Sequence, residues 1–234
     1  PKNNTKLIEK LCDRRFGIGG DGLILLENAG GADFRMVYFN SDGNQSTMCG
    51  NGGRCIVAFA KQLGVIESEA QFIAVDGSHH ATISGNVVSL HMKDVNSVSR
   101  YDDYTFMDTG SPHHVEVVEN LKDFDVKHVG SRIRYSGMYG DGGTNVNFAE
   151  PLGADIFSVR TYERGVEDET YSCGTGVTAV AIAMYATGLT TSTDISLQTP
   201  GGALNVKFDN DGKRYVNIYL TGPAEFVFKG EAEW

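Results

Sequence analysis

Aligned on Cys49 and Cys173, the chain repeats itself. CGNGGRCIVAFAKQLG lies over CGTGVTAVAIAMYATG without a gap; upstream ADFRMVYFN (32–40) faces ADIFSVRTYE (154–163), and downstream FIAVDG (72–77) faces ISLQTPGG (195–202). Each half reads as strand, glycine loop with cysteine, buried helix, then further strands. Such a doubled unit constrains the fold to α+β: two pseudo-symmetric lobes, each a mixed or antiparallel sheet wrapped around a buried helix and related by a pseudo-twofold axis. The expected lobes are 1–102, joined by 223–234, and 103–222. The second half carries a strand-like stretch, FMDTGSPHHVEVV (106–118), before its cysteine. Its counterpart would fall before residue 1, so the first lobe is expected to lack an N-terminal strand.

Residues 34–39 (FRMVYF), 87–92 (VVSLHM), 115–118 (VEVV), 157–162 (FSVRTY) and 215–220 (YVNIYL) are rich in β-branched and aromatic side chains and are predicted strands. Residues 53–63 and 177–187 are long, apolar or alanine-rich, and stop at Gly64 and Gly188, which read as C-cap glycines. Both helices are predicted to be buried over most of their circumference. With 29 glycines and five prolines, the chain suits many short strands with tight turns.

Charge and cysteine usage exclude several function classes. Twenty Lys and Arg against thirty Asp and Glu give a net charge of −10, which repels a nucleic-acid backbone. No apolar run reaches the ~18 residues of a membrane span, and no signal peptide opens the sequence. The expectation is a soluble, cytoplasmic protein. Four cysteines (Cys12, Cys49, Cys55, Cys173) are too few for a disulfide scaffold. Cys55 lies about 240° around the helix from Cys49, so the two cannot share one ligand face and no metal site is expected. Cys12 and Cys55 read as structural.

Cys49 and Cys173 differ from these, because each stands at the entry to a buried helix and precedes Gly-Asn-Gly (50–52) or Gly-Thr-Gly (174–176). Free N–H groups and the helix dipole at that position stabilise a thiolate and a bound carboxylate. The flanking glycines let a ligand approach the backbone. Two such thiols on opposite sides of one cleft could invert a carbon: one removes a proton, the other returns one to the opposite face. The carbanion would delocalise into the substrate carboxylate held by the helix N-termini, without an electron-sink cofactor.

The motifs RRFGIGGDGLILL (14–26), FNSDG (39–43), MCGNGGRC (48–55), GSPHHV (110–115), TNVNF (144–148), YERG (162–165) and SCGTGV (172–177) occur in the order found in diaminopimelate epimerases, and the chain resembles that family over essentially its whole length. The resemblance implies an amino-acid isomerase that needs no cofactor and converts LL- to meso-diaminopimelate in lysine and peptidoglycan precursor biosynthesis. It implies a homodimer whose partner is a small amino-acid substrate. Cys49 and Cys173 would be the acid/base pair. Gly50, Asn51, Gly174 and Thr175 would contact the reacting carboxylate, while Asn40, Ser111, Asn145, Glu163 and Arg164 would hold the substrate. Arg164 suits the distal carboxylate, because its planar fork binds carboxylates bidentately. His113 and Glu163 would adjust the protonation of the thiols.

Taken singly, Asn40 suits an Asx turn, Glu163 and Arg164 a surface ion pair, and His113 a satisfied loop histidine. Ser111 stands where many relatives have asparagine and Gly22 where some have glutamine, and the family's opening Gly-rich loop with Asn-Asp-Phe is absent. Proline or hydroxyproline racemases share the two-cysteine fold but usually have His at the position of Asn51. The remaining alternative is a non-catalytic amino-acid-binding relative, which would be expected to lose the thiols first.

Overall fold

The computed structural model describes residues 4–46 and 49–231. Met48 of the MCGNGGRC motif and the last three residues of the 223–234 segment lie outside them. Two compact units emerge, one formed by the chain up to Leu90 together with the chain from Pro223, the other by His91–Gly222.

The first unit contains α1 (Thr5–Cys12), β1 (Gly22–Glu27), β2 (Phe34–Asn40), α2 (Gly50–Gln62), β3 (Glu69–Ala74), β4 (Gly77–Ser84) and β5 (Val87–His91). The strands run in spatial order β1-β2-β3-β4-β5. Among the described residues of this unit only β2–β3 is a parallel pair, Phe34 opposite Phe72, and α2 is the crossover that a parallel pair requires. The two rings stack with centroids 5.0 Å apart. The helix α1 was not anticipated. Its stretch, TKLIEKLC, carries three charges in eight residues, but the Asn4 side chain caps it by accepting from Leu7 N (3.1 Å), and Ile8 and Cys12 bury against Val37 and Phe39. After Pro223, Ala224 N donates to Asn86 O (2.8 Å), tying the tail to the β4–β5 turn.

The second unit contains β6 (Ser99–Arg100), β7 (Thr105–Asp108), β8 (Pro112–Val117), a 3-10 turn (Leu121–Asp123), α3 (Val126–Arg134), β9 (Asn145–Pro151), β10 (Ile156–Glu163), β11 (Asp168–Thr170), α4 (Gly174–Ala186), β12 (Asp194–Thr199), β13 (Gly202–Asn210) and β14 (Tyr215–Pro223). Its order is β14-β13-β12-β10-β9-β8-β7-β6, with β11 beside β10. The pairs β8–β9 and β10–β12 are parallel, bridged by α3 and α4. In β10–β12 Phe157 faces Leu197, within the two segments that the repeat sets against 32–40 and 72–77. One face of β8 carries an aromatic ladder. Tyr101 stacks on Tyr104 (4.4 Å), Tyr104 on His114 (4.5 Å), and Phe106 on Tyr139 (4.8 Å), while His114 bonds Tyr139 OH (2.6 Å) and Glu116 (2.8 Å) through its two ring nitrogens.

Both units are thus mixed sheets with few helices, an α+β fold. The two repeated helices end alike: Gly64 (φ 71°) and Gly188 (φ 78°) close Schellman motifs, with Val65 N bonding Ala60 O and Leu189 N bonding Met184 O. They begin three residues earlier than expected, directly after each cysteine. Glycine is a poor helix former, but a Cβ on Gly52 would stand 3.1 Å from Ile24 Cδ1 and 3.2 Å from Met36 Cε, so packing overrides propensity there.

The expectation that both helices are buried over most of their circumference holds for α4 and not for α2. α4 is enclosed, with Ala179, Val180, Ala181, Ile182 and Ala183 inaccessible, because strands β7 to β10, β12 and β13 pack around it. α2 rests mainly on β1, β2 and β4, and leaves Cys55, Phe59 (46% exposed) and Leu63 (55%) in a surface stripe. Among the described residues no helix is long and apolar enough to cross a membrane.

The asymmetry has a measurable outcome. Phe59→Ala is expected to change the free energy of unfolding by less than about 1 kcal/mol, as surface substitutions do. Ala183→Phe, at the aligned position, overpacks a closed interior and costs about 3 kcal/mol or more. Urea unfolding of both variants checks this, and equal losses would refute the difference in burial.

Candidate active site

Cys49 and Cys173 occupy the same local position, each the N-cap of its helix with extended backbone (φ −106°, ψ 132°; φ −115°, ψ 112°), and neither uses its sulfur to cap. A capping Ser or Asp would satisfy the first-turn N–H groups with its own oxygen. Here neither cysteine makes a side-chain cap hydrogen bond, and a helix N-terminus in that position stabilises a thiolate and an anionic ligand. Cys49 is half-buried and Cys173 is 7% exposed.

In the first unit Asn40, Cys49, Gly50 and Asn51 are the expected site residues. Asn40 is exposed at the end of β2, its backbone N–H donating to Asn44 O (2.9 Å) and its carbonyl accepting from Gly43 N (3.0 Å). Asn51 lies in the first turn of α2, where its Oδ1 accepts from Arg54 Nη2 (3.1 Å). Arg54 was not singled out from the sequence. It is 6% exposed, and its Nη1 also donates to Gly50 O (3.3 Å).

The second unit brings Ser111, His113, Asn145, Arg164, Cys173 and Thr175 into one connected network. Cys173 Sγ lies 3.5 Å from Thr175 Oγ1, which lies 2.9 Å from His113 Nε2. Ser111 Oγ is 3.1 Å from the same nitrogen. The Thr175 carbonyl accepts from Thr109 Oγ1 (2.9 Å), which holds the Gly110–Ser111 turn against the thiol loop.

Asn147 organises this network. Its Nδ2 donates to His114 O (2.8 Å) and to His113 Nδ1 (3.1 Å), and its Oδ1 accepts from Thr161 Oγ1 (3.0 Å). With both N–H groups directed as donors, Asn147 makes Nδ1 of His113 an acceptor, so the proton of the neutral ring sits on Nε2. Nε2–H can then donate to Thr175, leaving the Thr175 hydroxyl to donate to the Cys173 sulfur. Complete burial, reinforced by the charge of Arg164, pushes the His113 pKa down to about 3, so the ring is neutral at physiological pH. Asn147 belongs to the TNVNF motif, and its signal was its period: two residues from Asn145, it shares that residue's face of β9.

Asn145 is more constrained than expected. Its two N–H groups donate to Ser111 Oγ (2.9 Å) and Pro112 O (3.0 Å), and its Oδ1 accepts from Arg164 N (2.9 Å), which leaves one oxygen lone pair. The Arg164 guanidinium donates through Nη1 to Gly142 O (3.2 Å). Glu163 accepts from Thr170 Oγ1 (2.9 Å) and is half-buried. Gly174 opens α4, and Gly176 must be glycine because a Cβ there would strike Asn147 Oδ1 and stand 3.3 Å from Cys173 Sγ. Among the described residues no three His, Cys, Asp or Glu side chains gather as a metal would require.

The sequence profile described as diaminopimelate epimerase matches residues 1–97 and 105–227. A diaminopimelate epimerase of Flavobacterium psychrophilum is 61% identical over 98% of this chain and 90% of its own length. Those of Chlorobaculum tepidum and Aquifex aeolicus are 42% and 37% identical, each over 95% of this chain and 89% and 84% of their own lengths. Among solved structures, a Bacillus anthracis phenazine biosynthesis protein of the PhzF family superposes with a TM-score of 0.72 at 14% identity, covering 94% of this chain and 84% of that one. A probable proline racemase from Agrobacterium radiobacter follows at 0.66 and 16%, covering 92% and 77%. At such identities these two establish a shared fold alone.

The neutral state of His113 is testable through stability. Its folded pKa lies below the ordinary value near 6.5, so its contribution is fully present above pH 6.5 and is lost as the pH falls toward 3, where the unfolded chain binds a proton that the folded chain refuses. Between pH 6 and pH 4 it should make unfolding free energy fall by about 1.4 kcal/mol per pH unit. Urea titrations of the parent and His113→Asn should differ by that slope, and parallel curves would contradict the buried neutral ring.

Proposed function

Because the chain belongs to the diaminopimelate epimerase family, we propose that it interconverts LL- and meso-diaminopimelate by moving the α-proton between two thiols, Cys49 and Cys173. The chain is an isomerase of the epimerase class; the substrate and the residue roles are the proposal. What carries it is the repeated corner, a glycine-flanked cysteine serving as N-cap of a helix without capping it by its own side chain, once in each unit.

In this reading one sulfur, as thiolate, takes the proton from Cα, and the other, as thiol, delivers one to the opposite face. Negative charge moves into the carboxylate as the C–H bond breaks. First-turn N–H groups at Gly50 and Asn51 and at Gly174 and Thr175 hold that carboxylate, and their dipoles strengthen as charge develops. The Thr175 hydroxyl donates to Cys173 while it is a thiolate, and His113, kept neutral, orients that hydroxyl. At the distal end of the substrate, the remaining N–H groups of Arg164 receive a carboxylate, and the last lone pair of Asn145 Oδ1 suits an ammonium. Ser111, whose Oγ accepts from Asn145, retains its own O–H for the substrate. Asn40 and Glu163 complete the binding set. Cytoplasmic residence and a homodimer belong to the same reading and rest on the family resemblance.

Cys49→Ala and Cys173→Ala are each expected to lower inversion about a thousandfold or more, since neither face can be served from the other. Each variant keeps one thiol and should retain slow exchange of solvent deuterium into a single stereoisomer. Proton NMR of LL- and meso-diaminopimelate in deuterated buffer reads the exchange, and an optical assay reads inversion. Near-parental inversion by either variant would end the two-thiol scheme. Parallel incubations with proline and hydroxyproline test the substrate, because exchange into either in preference to diaminopimelate would redirect the assignment. Arg164→Lys should raise KM about tenfold for diaminopimelate, as a planar bidentate contact is lost, and an unchanged KM would remove Arg164 from the distal site.

A further inference from the structure

The turn that carries Arg164 is built around a carboxylate that the proposed reaction does not use. Glu167 stands in the left-handed region (φ 58°), which a residue with a side chain seldom adopts unless its surroundings fix it. Its backbone N–H donates to Glu163 O (2.8 Å), which closes the turn. Its carboxylate folds back over the same turn: Oε1 accepts from Gly165 N (3.0 Å) and from Arg134 Nη2 (3.3 Å), and Oε2 accepts from Tyr162 OH (3.2 Å). Burial alone would raise the Glu167 pKa, but the bond from Gly165 N, the Tyr135 hydroxyl and the charge of Arg134 hold it below the ordinary carboxylate range, so the group is ionised at physiological pH.

Arg134 reaches the other support of Arg164. It leaves the end of α3 with its side chain 12% exposed, its Nε is buried without an acceptor among the described residues, and its guanidinium lies against Gly143 (φ 58°), where a Cβ would strike Nη1. Within the loop from Gly137 to Gly143, Gly140 N donates to Gly137 O (3.2 Å), Gly143 N donates to Gly140 O (3.2 Å), and Tyr139 hangs on His114. The Gly142 carbonyl of that loop accepts from Arg164 Nη1 (3.2 Å). One ion pair, Arg134 with Glu167, therefore touches both segments that set Arg164: the turn from which its backbone departs and the loop on which its guanidinium rests. Neutralising Arg134 needs a carboxylate, but not one at a disfavoured backbone position, so the buried charge alone leaves the place of Glu167 unexplained.

We propose that Glu167 and Arg134 are the positioning residues of Arg164, holding its turn and its loop in one register so that the guanidinium meets the distal carboxylate of the substrate without first being ordered by it. This rests on the reading of Arg164 as the receiver of that carboxylate. Neither residue touches the substrate. Without the pair, the substrate itself must order the Arg164 side chain, a cost that falls on binding; once bound, the geometry at Cα is the same and proton transfer keeps its rate.

The test reads KM and kcat for diaminopimelate separately in the full chain. Glu167→Gly removes the carboxylate and suits the left-handed backbone, so the variant should fold. It should raise KM about fivefold at similar kcat, the cost of ordering one long side chain. Arg134→Gln should do the same, and the double variant should be no worse than either single, since both break one link. In an Arg164→Ala background, which alone should raise KM about tenfold or more, Glu167→Gly should add nothing, because no guanidinium is left to position. A parental KM in Glu167→Gly, a loss confined to kcat, losses that multiply in the double variant, or an equal further rise in the Arg164→Ala background overturns the proposal. Should Arg134→Gln fail to fold, Glu167→Gly with and without Arg164→Ala still decides. Failure of the reading beneath it shows differently: Arg164→Ala would itself keep the parental KM, and the reading and the proposal would fall together.

Discussion

Asn147 is the point on which the second unit depends. A buried primary amide has two donors and an acceptor with two lone pairs, and leaving any of them without a partner in a dry interior costs on the order of 1–3 kcal/mol. Asn147 meets this demand by joining β9 to β8 through His113 and His114, and to β10 through Thr161. The same side chain fills the space against Gly176, so the start of α4 can sit only where it does. Strand register, imidazole tautomer and the position of Cys173 therefore follow from one amide.

That arrangement also explains how a histidine can stand in the same hydrogen-bonded network as a cysteine while remaining neutral. A charged imidazole would add an ionised group to a dry interior, at a desolvation cost that the neutral ring avoids. Held neutral, His113 can only relay a hydrogen bond, and the sulfur keeps a basicity set by the helix terminus and the Thr175 hydroxyl. The first unit holds its own cysteine loop differently, with a buried guanidinium on Gly50 O and Asn51 Oδ1, so the two halves of the repeat use different groups at matching positions.

Much of the architecture was legible because it is periodic. The repeat set residues 32–40 against 154–163 and 72–77 against 195–202, and the structure pairs the two segments of each half in a parallel ladder, Phe34 with Phe72 and Phe157 with Leu197. Gly64 and Gly188 marked the helix ends because a left-handed residue there strongly favours glycine. What escaped is long-range or non-periodic. The helix α1 carries too few apolar residues to stand out, and is held by contacts with Val37 and Phe39 far along the chain. The unequal burial of α2 and α4 could not be read from two similar apolar runs, since it depends on which strands surround each. Asn145 was recognised through its motif, yet the exhaustion of its donors on Ser111 and Pro112 is a property of the turn that faces it. Arg54 lay in plain view inside a motif, and nothing in the spacing distinguished a buried guanidinium from a solvated one.

The aromatic ladder on β8 gives the molecule lopsided optics. Nine of its ten tyrosines lie within residues 91–222, and only Tyr38 lies outside. Near-ultraviolet dichroism arises from rings locked in asymmetric packing and vanishes when packing loosens, even where helices and strands persist. Stacked Tyr101 and Tyr104, with Tyr139 on Phe106, are rings of that kind. The tyrosine signal is thus mainly a gauge of the unit that holds Cys173, while the far-ultraviolet signal averages over both. Their divergence during denaturation would time the loosening of one half against the other in a chain bearing no added label.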